Sequence, residues 1–428
     1  MKIETLKKSH LKRNIMIGIV AVAIISAIIL NFTKAKYRTT QSIPLVNGTI
    51  NYTPADLNAV AIYVNGDNGY TKADTIPDGY VLNEEESYCT VNGEEDTSIS
   101  LSYDTATKSL SVIPMTTKGT KCYLYFDEKG ITNIQELIAN YSTVKTRTFP
   151  LTTSSTVTET TTGTIYKSAN SNQYDNDGEV YYFAGNPTDN WVKWAGFYWR
   201  IIRINGNGSI RMIYQGTSPN TTGTGTQLQT SAFNSSYDRS EYVGLKYTSG
   251  QQHGQNTNST IMGVLETWYN SNLSSYADDI DTNAGFCSDR NMASGYSWSS
   301  EPSSTIYYAA YDRVAKTSSN VNPSFKCSNT SDILKIPVGL ITVDETVYAG
   351  LAWSNGNSSN YLYTGEYYWT MSPCSYGGSA IVFRVASAGR LSTWGVDSAI
   401  GVRPVVNLKS SVQITGGNGS SSNPYVIG

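Results

Sequence analysis

The chain has 428 residues, with 31 lysines and arginines against 34 aspartates and glutamates and a formal net charge of −3. That length exceeds what one hydrophobic core usually supports, about 250 to 300 residues, so two or three domains are expected. Residues 1 to 38 hold eight basic side chains and one acid, and the rest holds 23 basic against 33 acidic. So acidic a bulk lacks the basic face that phosphates demand, and nucleic acid is not expected as a partner.

The first element in chain order is an apolar run from Ile15 to Leu30, extended by Phe32 and preceded by Lys7, Lys8, His10, Lys12 and Arg13. It is long enough to cross most of a bilayer core, and no small-residue cleavage site follows it. The pattern predicts a single transmembrane signal anchor over 15–32, with a cytoplasmic basic tail over 1–14. The ectodomain would then lie outside the cell by the positive-inside rule, with the membrane held through this N-terminal helix.

From 40 to 128, short apolar or alternating runs such as Val60–Val64 and Lys121–Phe126 are divided by Asn65-Gly66, Asn68-Gly69, Pro77-Asp78-Gly79 and Asn92-Gly93. This spacing predicts a small immunoglobulin-like β-sandwich, with Cys89 and Cys122 as its staple. Five cysteines fit an oxidising compartment, and the simplest pairing is Cys89 with Cys122 and Cys287 with Cys327, leaving Cys374 odd. Four cysteines nevertheless permit three pairings.

A helix follows, with Ile131, Ile134, Leu137, Ile138 and Tyr141 on one side and Thr132 with Gln135 as a capping box. Residues 143 to 164 contain eleven threonines and no long apolar run. Together with the helix they are read as a connecting segment over 129–165, its Thr-rich part an extended linker.

The second domain is expected over 166–428. Trp194 to Ile204, the turn Asn205-Gly206-Asn207-Gly208 and Ser209 to Tyr214 form a hairpin signal. A Gly/Thr/Ser-rich loop runs to about Thr257. Ile261, Val264, Leu265, Trp268, Tyr269 and Leu273 then recur at helical spacing. Further on, a strand over Val338–Ile341 leads into Thr342-Val343-Asp344-Glu345, a capping box that opens a short helix through Tyr348.

The last 62 residues begin with Tyr367-Tyr368-Trp369-Thr370-Met371-Ser372-Pro373 and pass through Gly401-Val402-Arg403-Pro404-Val405. Between the two blocks the apolar beat Ile381, Phe383, Val385, Leu391 and Val396 alternates with small polar residues, Arg384, Arg390, Trp394 and Asp397. The beat predicts strands with one face on a core and the intervening residues turned to solvent or a ligand. Strand, capped helix, W-x-x-S-P block and G-V-R-P strand in this order resemble C-type-lectin-fold proteins of the formylglycine-generating-enzyme type. They are most similar to the variable proteins of diversity-generating retroelements. The resemblance covers the C-terminal domain, loosely back to about Gly178.

The fold class implied for the whole chain is α+β: a C-terminal C-type-lectin-like domain, preceded by the immunoglobulin-like domain and one transmembrane helix. The function implied is a membrane-anchored, surface-displayed ligand-binding protein, its ligand a protein or a glycan at the cell exterior. By the resemblance the contact residues are Ser375, Tyr376, Ser379, Arg384, Ser387, Arg390, Ser392, Thr393, Trp394, Asp397 and Ser398. Trp394 and Tyr376 would be the aromatic anchors, while Gly389, Gly401, Arg403 and Pro404 would belong to the frame. A chain with 32 tyrosines and eight tryptophans suits a binding surface, because these side chains give large contact area at low rotamer cost. Whether a retroelement diversifies the segment is a separate matter, to be read in the neighbouring DNA.

Enzymatic chemistry is less well supported by the residues, and no cofactor is expected. The formylglycine-generating oxidases present a pair of reactive cysteines where this chain has only Cys374, with no adjacent His or Lys to lower its pKa. His253 lies in a loop without a companion motif and reads as a solvated side chain. Asp278-Asp279 and Glu84-Glu85-Glu86 read as solvated acids rather than a glycosidase pair. Asp175-Asn176-Asp177-Gly178-Glu179 matches only the start of a calcium loop. Glu301-Pro302-Ser303 shares two letters with the sugar-binding loops of calcium-dependent lectins. A purely structural surface or stalk protein is the other alternative.

Overall fold

The computed structural model describes residues 57–428 apart from 67–68, 78, 106, 114–118, 129–132 and 153–154. Two compact units divide the chain, residues 1–129 and 130–428. Among the described residues no helix is long and apolar enough to cross a membrane. That finding conflicts with a single-pass membrane protein, and the localisation expected from the sequence is corrected on it. The run over 15–32, on which that expectation rested, lies outside the described residues.

The chain is mostly β, with 35% in strands, 15% in helices and a half-barrel sheet, and this overturns the α+β class with its C-type-lectin-like domain. The residues explain the balance. Among the described residues only one helix is long, Thr260–Asn272, and elsewhere Gly, Asn and Thr stop helices within two turns.

In the first unit the strand Leu57–Gly66 runs parallel to Thr120–Glu128. Thr120–Glu128 in turn pairs antiparallel with Tyr80–Leu82 and Tyr88–Val91. The sheet is six-stranded, and a separate hairpin joins Ser100–Asp104 to Ser109–Ile113. An immunoglobulin-like sandwich packs two antiparallel sheets; a central parallel pair with one hairpin beside it is a different arrangement. The core here is small: Ile62, Leu110, Val112, Leu124 and Phe126 around the disulfide Cys89–Cys122. Cys89 and Cys122 sit directly opposite each other on neighbouring strands, which brings their Cα atoms to 4.0 Å.

The second unit takes in the segment expected to connect the domains. The helix Ile134–Asn140 is capped by Asn133, whose Oδ1 accepts from the Glu136 amide at 3.0 Å. It seats Ile134 and Leu137 in the core of this unit. Thr132, half of the expected capping box, lies outside the described residues. Within the Thr-rich segment, Thr143–Thr146 runs parallel to Thr164–Lys167 on the edge of a nine-stranded sheet. β-branched threonine suits a pleated strand, so the stretch orders by pairing where it could not by burial alone.

The same sheet carries the hairpin of Phe197–Ile204 with Ile210–Gly216. It also holds a second hairpin that the sequence reading ran together: Trp191–Trp194 turns back onto Phe197–Ile204, pairing Trp194 with Phe197. Ala195 and Gly196 make that turn with φ of 52° and 80°, the positive values a two-residue hairpin needs at both central positions. Val405–Leu408, from the G-V-R-P block, lies antiparallel to Ile210–Gly216.

A six-stranded sheet completes the unit. Tyr368–Tyr376 is flanked by Ala380–Val385, and that strand by Leu391–Gly395 at the edge. The capped helix Val343–Tyr348 forms as expected: Thr342 and Glu345 exchange their side-chain and backbone bonds. The disulfide Cys287–Cys327 is present, and Cys374 is the free thiol.

Candidate functional site

Apart from Tyr367, the two blocks that bound the expected contact segment are buried and serve the fold. Trp369 is fully covered and donates its indole N–H to the Ser231 carbonyl at 2.9 Å. Thr370 donates to the Phe383 carbonyl, and Ser372 Oγ accepts the Val343 amide at 2.9 Å, tying the strand to the start of the capped helix. Arg403 is fully buried. It donates to the Tyr214 carbonyl from Nε and Nη2, to the Leu362 carbonyl at 3.1 Å and to Gln215 Oε1 at 2.8 Å. Its guanidinium also lies over the Tyr368 ring. A Cβ on Gly401 would fall 2.1 Å from the Gln227 side chain, and Gly389 combines a φ of 70° with the Asn357 carbonyl 2.4 Å from where a Cβ would sit. Neither position accepts a larger residue without movement.

Between the blocks the alternation is only partly realised. Along Ala380–Val385 every side chain except that of Ile381 is buried, because the strand is central and covered by a partner on each side. Leu391–Gly395 is the edge and carries the exposure, in a five-residue strand. Short length and an Arg-stacked face are ways in which an edge avoids unwanted pairing.

Arg384 stands opposite Ser392 across these two strands and donates from Nε to its Oγ at 3.0 Å. Trp394 is two residues along from Ser392, on the same face by strand periodicity. Its ring centroid is 4.1 Å from the guanidinium carbon. On the guanidinium's other contact lies Tyr367, 4.2 Å away. The arrangement joins three side chains in which the cation is 9% exposed while Trp394 is 48% and Tyr367 39% exposed. Burial lowers the Arg384 pKa from its ordinary value and the neighbouring positive charge of Arg390 lowers it further, while Tyr367 opposes the shift.

The remaining expected contact residues are spread over the rest of the sheet. Arg390 and Asp397 are exposed on turns, and Ser387 and Ser398 are half-buried in those turns. A Cβ on Gly395 would lie 2.8 Å from Asp397 Oδ1 and 3.8 Å from Ser379 Oγ, so both polar groups lie beside the Trp394 strand. Thr393 is opposite Phe383 on the other face. Ser375 pairs through its backbone with Tyr307. Tyr376 is buried, with its hydroxyl donating to the Asp238 carbonyl at 2.8 Å, and is part of the framework. The exposed aromatic partner is Tyr367, which was not among the expected contact residues. A doublet of tyrosines before a strand can turn only one ring inward, and that alternation was the available signal.

Cys374 is buried, and burial pushes its thiol up to about 12. A thiol held neutral in this way is a poor nucleophile. His253 is not a free solvated ring: its Nδ1 lies 2.9 Å from Oδ2 of the buried Asp332, which also engages Arg290. Asp175 spends its oxygens on the amides of Asp177, Gly178 and Gly206 and on Arg203. In this chain the calcium-like stretch is a turn anchor. Among the described residues no group of three or more His, Cys, Asp or Glu side chains is placed to hold a metal ion.

No protein-family model, curated protein or solved structure matches the chain.

Proposed function

We propose that the second unit is a ligand-binding domain whose contact surface is the exposed edge of the six-stranded sheet, centred on Tyr367, Arg384 and Trp394. The observation that carries this reading is the exposed stack itself. Two large aromatic rings stay accessible while the cation between them is covered. A large exposed ring offers apolar surface that water solvates poorly, and fixing it in advance reduces the ordering cost on binding. Aromatic and arginine anchors are also the side chains in which binding energy concentrates.

A protein ligand suits this surface best. The anchors are aromatic and arginine side chains, those of protein–protein hot spots, and Arg390 and Asp397 supply exposed charges of opposite sign at the periphery.

The test is capture of ligand from the native environment and from arrayed proteins and glycans, with the wild-type chain and with Trp394→Ala, Arg384→Ala and Arg390→Ala. Each should weaken binding by about 1 to 3 kcal/mol while the melting temperature stays close to wild type. Retained binding in all three variants refutes the assignment of the surface. Capture of glycans alone replaces the protein ligand by a saccharide.

A further inference from the structure

Leu391–Gly395 ends the order of the six-stranded sheet, with Ala380–Val385 on one side and no strand on the other. The ladder determines which backbone groups the open side carries. Ala386 donates its amide to the Arg390 carbonyl at 2.8 Å and Val396 to the Ala380 carbonyl at 3.1 Å, and in an antiparallel pair such bonded positions alternate with unbonded ones. Arg390, Ser392, Trp394 and Val396 therefore turn their amides and carbonyls inward, while Leu391, Thr393 and Gly395 turn theirs to the open side.

Part of this set is used within the chain. The Leu391 amide donates to the Ala352 carbonyl at 2.9 Å, and the Gly395 carbonyl accepts from the Ser398 amide at 3.1 Å. The Leu391 carbonyl, the amide and carbonyl of Thr393 and the Gly395 amide have no partner among the described residues. Along the edge they read acceptor, donor, acceptor, donor. A helix has spent its main-chain groups on itself, whereas an extended segment offers the complement of the whole row.

The side chains add a second requirement. Whichever way an incoming strand runs, its residue beside Trp394 lies on the Trp394 face of the sheet. Arg384, on the inner strand, covers part of the Trp394 ring at 4.1 Å, and a residue that remains 48% exposed has the rest of its ring to offer. The edge is only five residues long. Main-chain pairing over so short a strand is weak, so contact with Trp394 selects the partner.

We infer that the ligand presents an extended peptide segment, which adds to this sheet as a further strand beside Leu391–Gly395 and packs an aromatic or β-branched residue against Trp394. The inference rests on the reading of this edge as the contact surface and names what the surface takes. The Thr393 amide and carbonyl are its central rung, with the Leu391 carbonyl and the Gly395 amide to either side.

The experiment selects short linear peptides from a random display library on the full chain, with Trp394→Ala as the counter-screen. Peptides bound by the wild type and not by the variant are resynthesised with each backbone nitrogen methylated in turn. Expected is a loss of about tenfold at alternate residues and little change at those between, because only every second amide of an added strand faces its neighbour. Hydrogen exchange reads the same contact from the protein: the Thr393 and Gly395 amides should be unprotected in the free chain and slowed by the peptide. Methylation tolerated at every position, or damaging at consecutive ones, overturns strand addition and leaves Tyr367, Arg384 and Trp394 as a surface for a folded ligand. The same holds if no Trp394-dependent peptide is selected while a folded protein is captured by the wild type and not by Trp394→Ala. Absence of any Trp394-dependent ligand, peptide or protein, overturns the surface and the strand together. Protection of Thr393 and Gly395 in the free chain that disappears on dilution gives the edge to a second copy and overturns the proposal.

Discussion

The guanidinium carbon of Arg384 lies 4.1 Å from the ring centroid of Trp394, and the two residues are diagonal neighbours on adjacent antiparallel strands. Cation and ring hold each other in a fixed orientation at the surface. A partly desolvated contact of this kind is worth roughly 0.5 to 1 kcal/mol. A double-mutant cycle of Arg384→Ala and Trp394→Ala, read by denaturant unfolding, should return a coupling of that size. Zero coupling would mean that Arg384 does not fix the ring.

Arg403 and Gly401 should behave in the opposite way from the surface stack. Arg403→Met removes the donors from the Tyr214 and Leu362 carbonyls and from Gln215, leaving buried acceptors unmatched at a cost of roughly 3 kcal/mol or more. Gly401→Ala forces a Cβ against the Gln227 side chain, whose amide also donates to the Tyr367 carbonyl at 3.1 Å. Both variants should unfold at lower denaturant concentration than wild type. A frame variant of wild-type stability would place Arg403 outside the structural role given it here.

These contrasts show what could be read in the sequence. The hairpin over Asn205–Gly208, the helix from Thr260 and the capping box at Thr342 follow from local chemistry: turn residues, apolar spacing and a cap; the two disulfides match the simplest of the pairings the cysteines allow. The pairing between distant strands does not. Nothing local in Leu57–Gly66 specifies a parallel neighbour more than 50 residues away, and the threonines of 143–146 become a strand only because Thr164–Lys167 offers an edge. The transmembrane and lectin-like expectations rested on a hydropathy run and on short motifs, neither of which fixes a topology. At the candidate site, Trp394 and Arg384 were legible as chemically distinctive residues. Their stacking on Tyr367, and the burial of Tyr376, depend on which face each strand turns inward.

Glu345 should make the second unit acid-sensitive. Burial alone would push its carboxyl up, but Arg211 and Arg203 outweigh burial and hold it below its ordinary value of 4.5. A folded value below the unfolded one means that the ionised group contributes stability above about pH 4.5, lost as pH falls through the depressed value. Asp289 opposes this in mild acid, since burial raises its pKa and protonation relieves it. Glu345→Gln leaves two buried guanidiniums short of a counter-charge and should cost about 3 to 5 kcal/mol at neutral pH. Its stability should also fall less steeply below pH 4.5 than that of wild type. Parallel acid profiles for the two proteins would remove Glu345 as the source of the sensitivity.

The five cysteines give a count that separates folded from unfolded chain. Cys89–Cys122 and Cys287–Cys327 are bonded, and Cys374 is buried with its thiol pushed up to about 12 by burial. A thiol reacts with disulfide reagents as its thiolate, which burial here disfavours twice, by pKa and by access. The native oxidised protein should therefore release almost no chromophore from such a reagent at neutral pH. Unfolded without reductant it should titrate as one thiol, and after reduction as five. The second disulfide closes a loop of 40 residues, so replacing Cys287 and Cys327 by serine should lower stability by about 3 to 4 kcal/mol. Cys374→Ser, in an apolar setting, should cost about 1 kcal/mol or more from the buried hydroxyl. Rapid modification of Cys374 in the folded protein, at a rate matching a free thiol in solution, would contradict the burial from which this count follows.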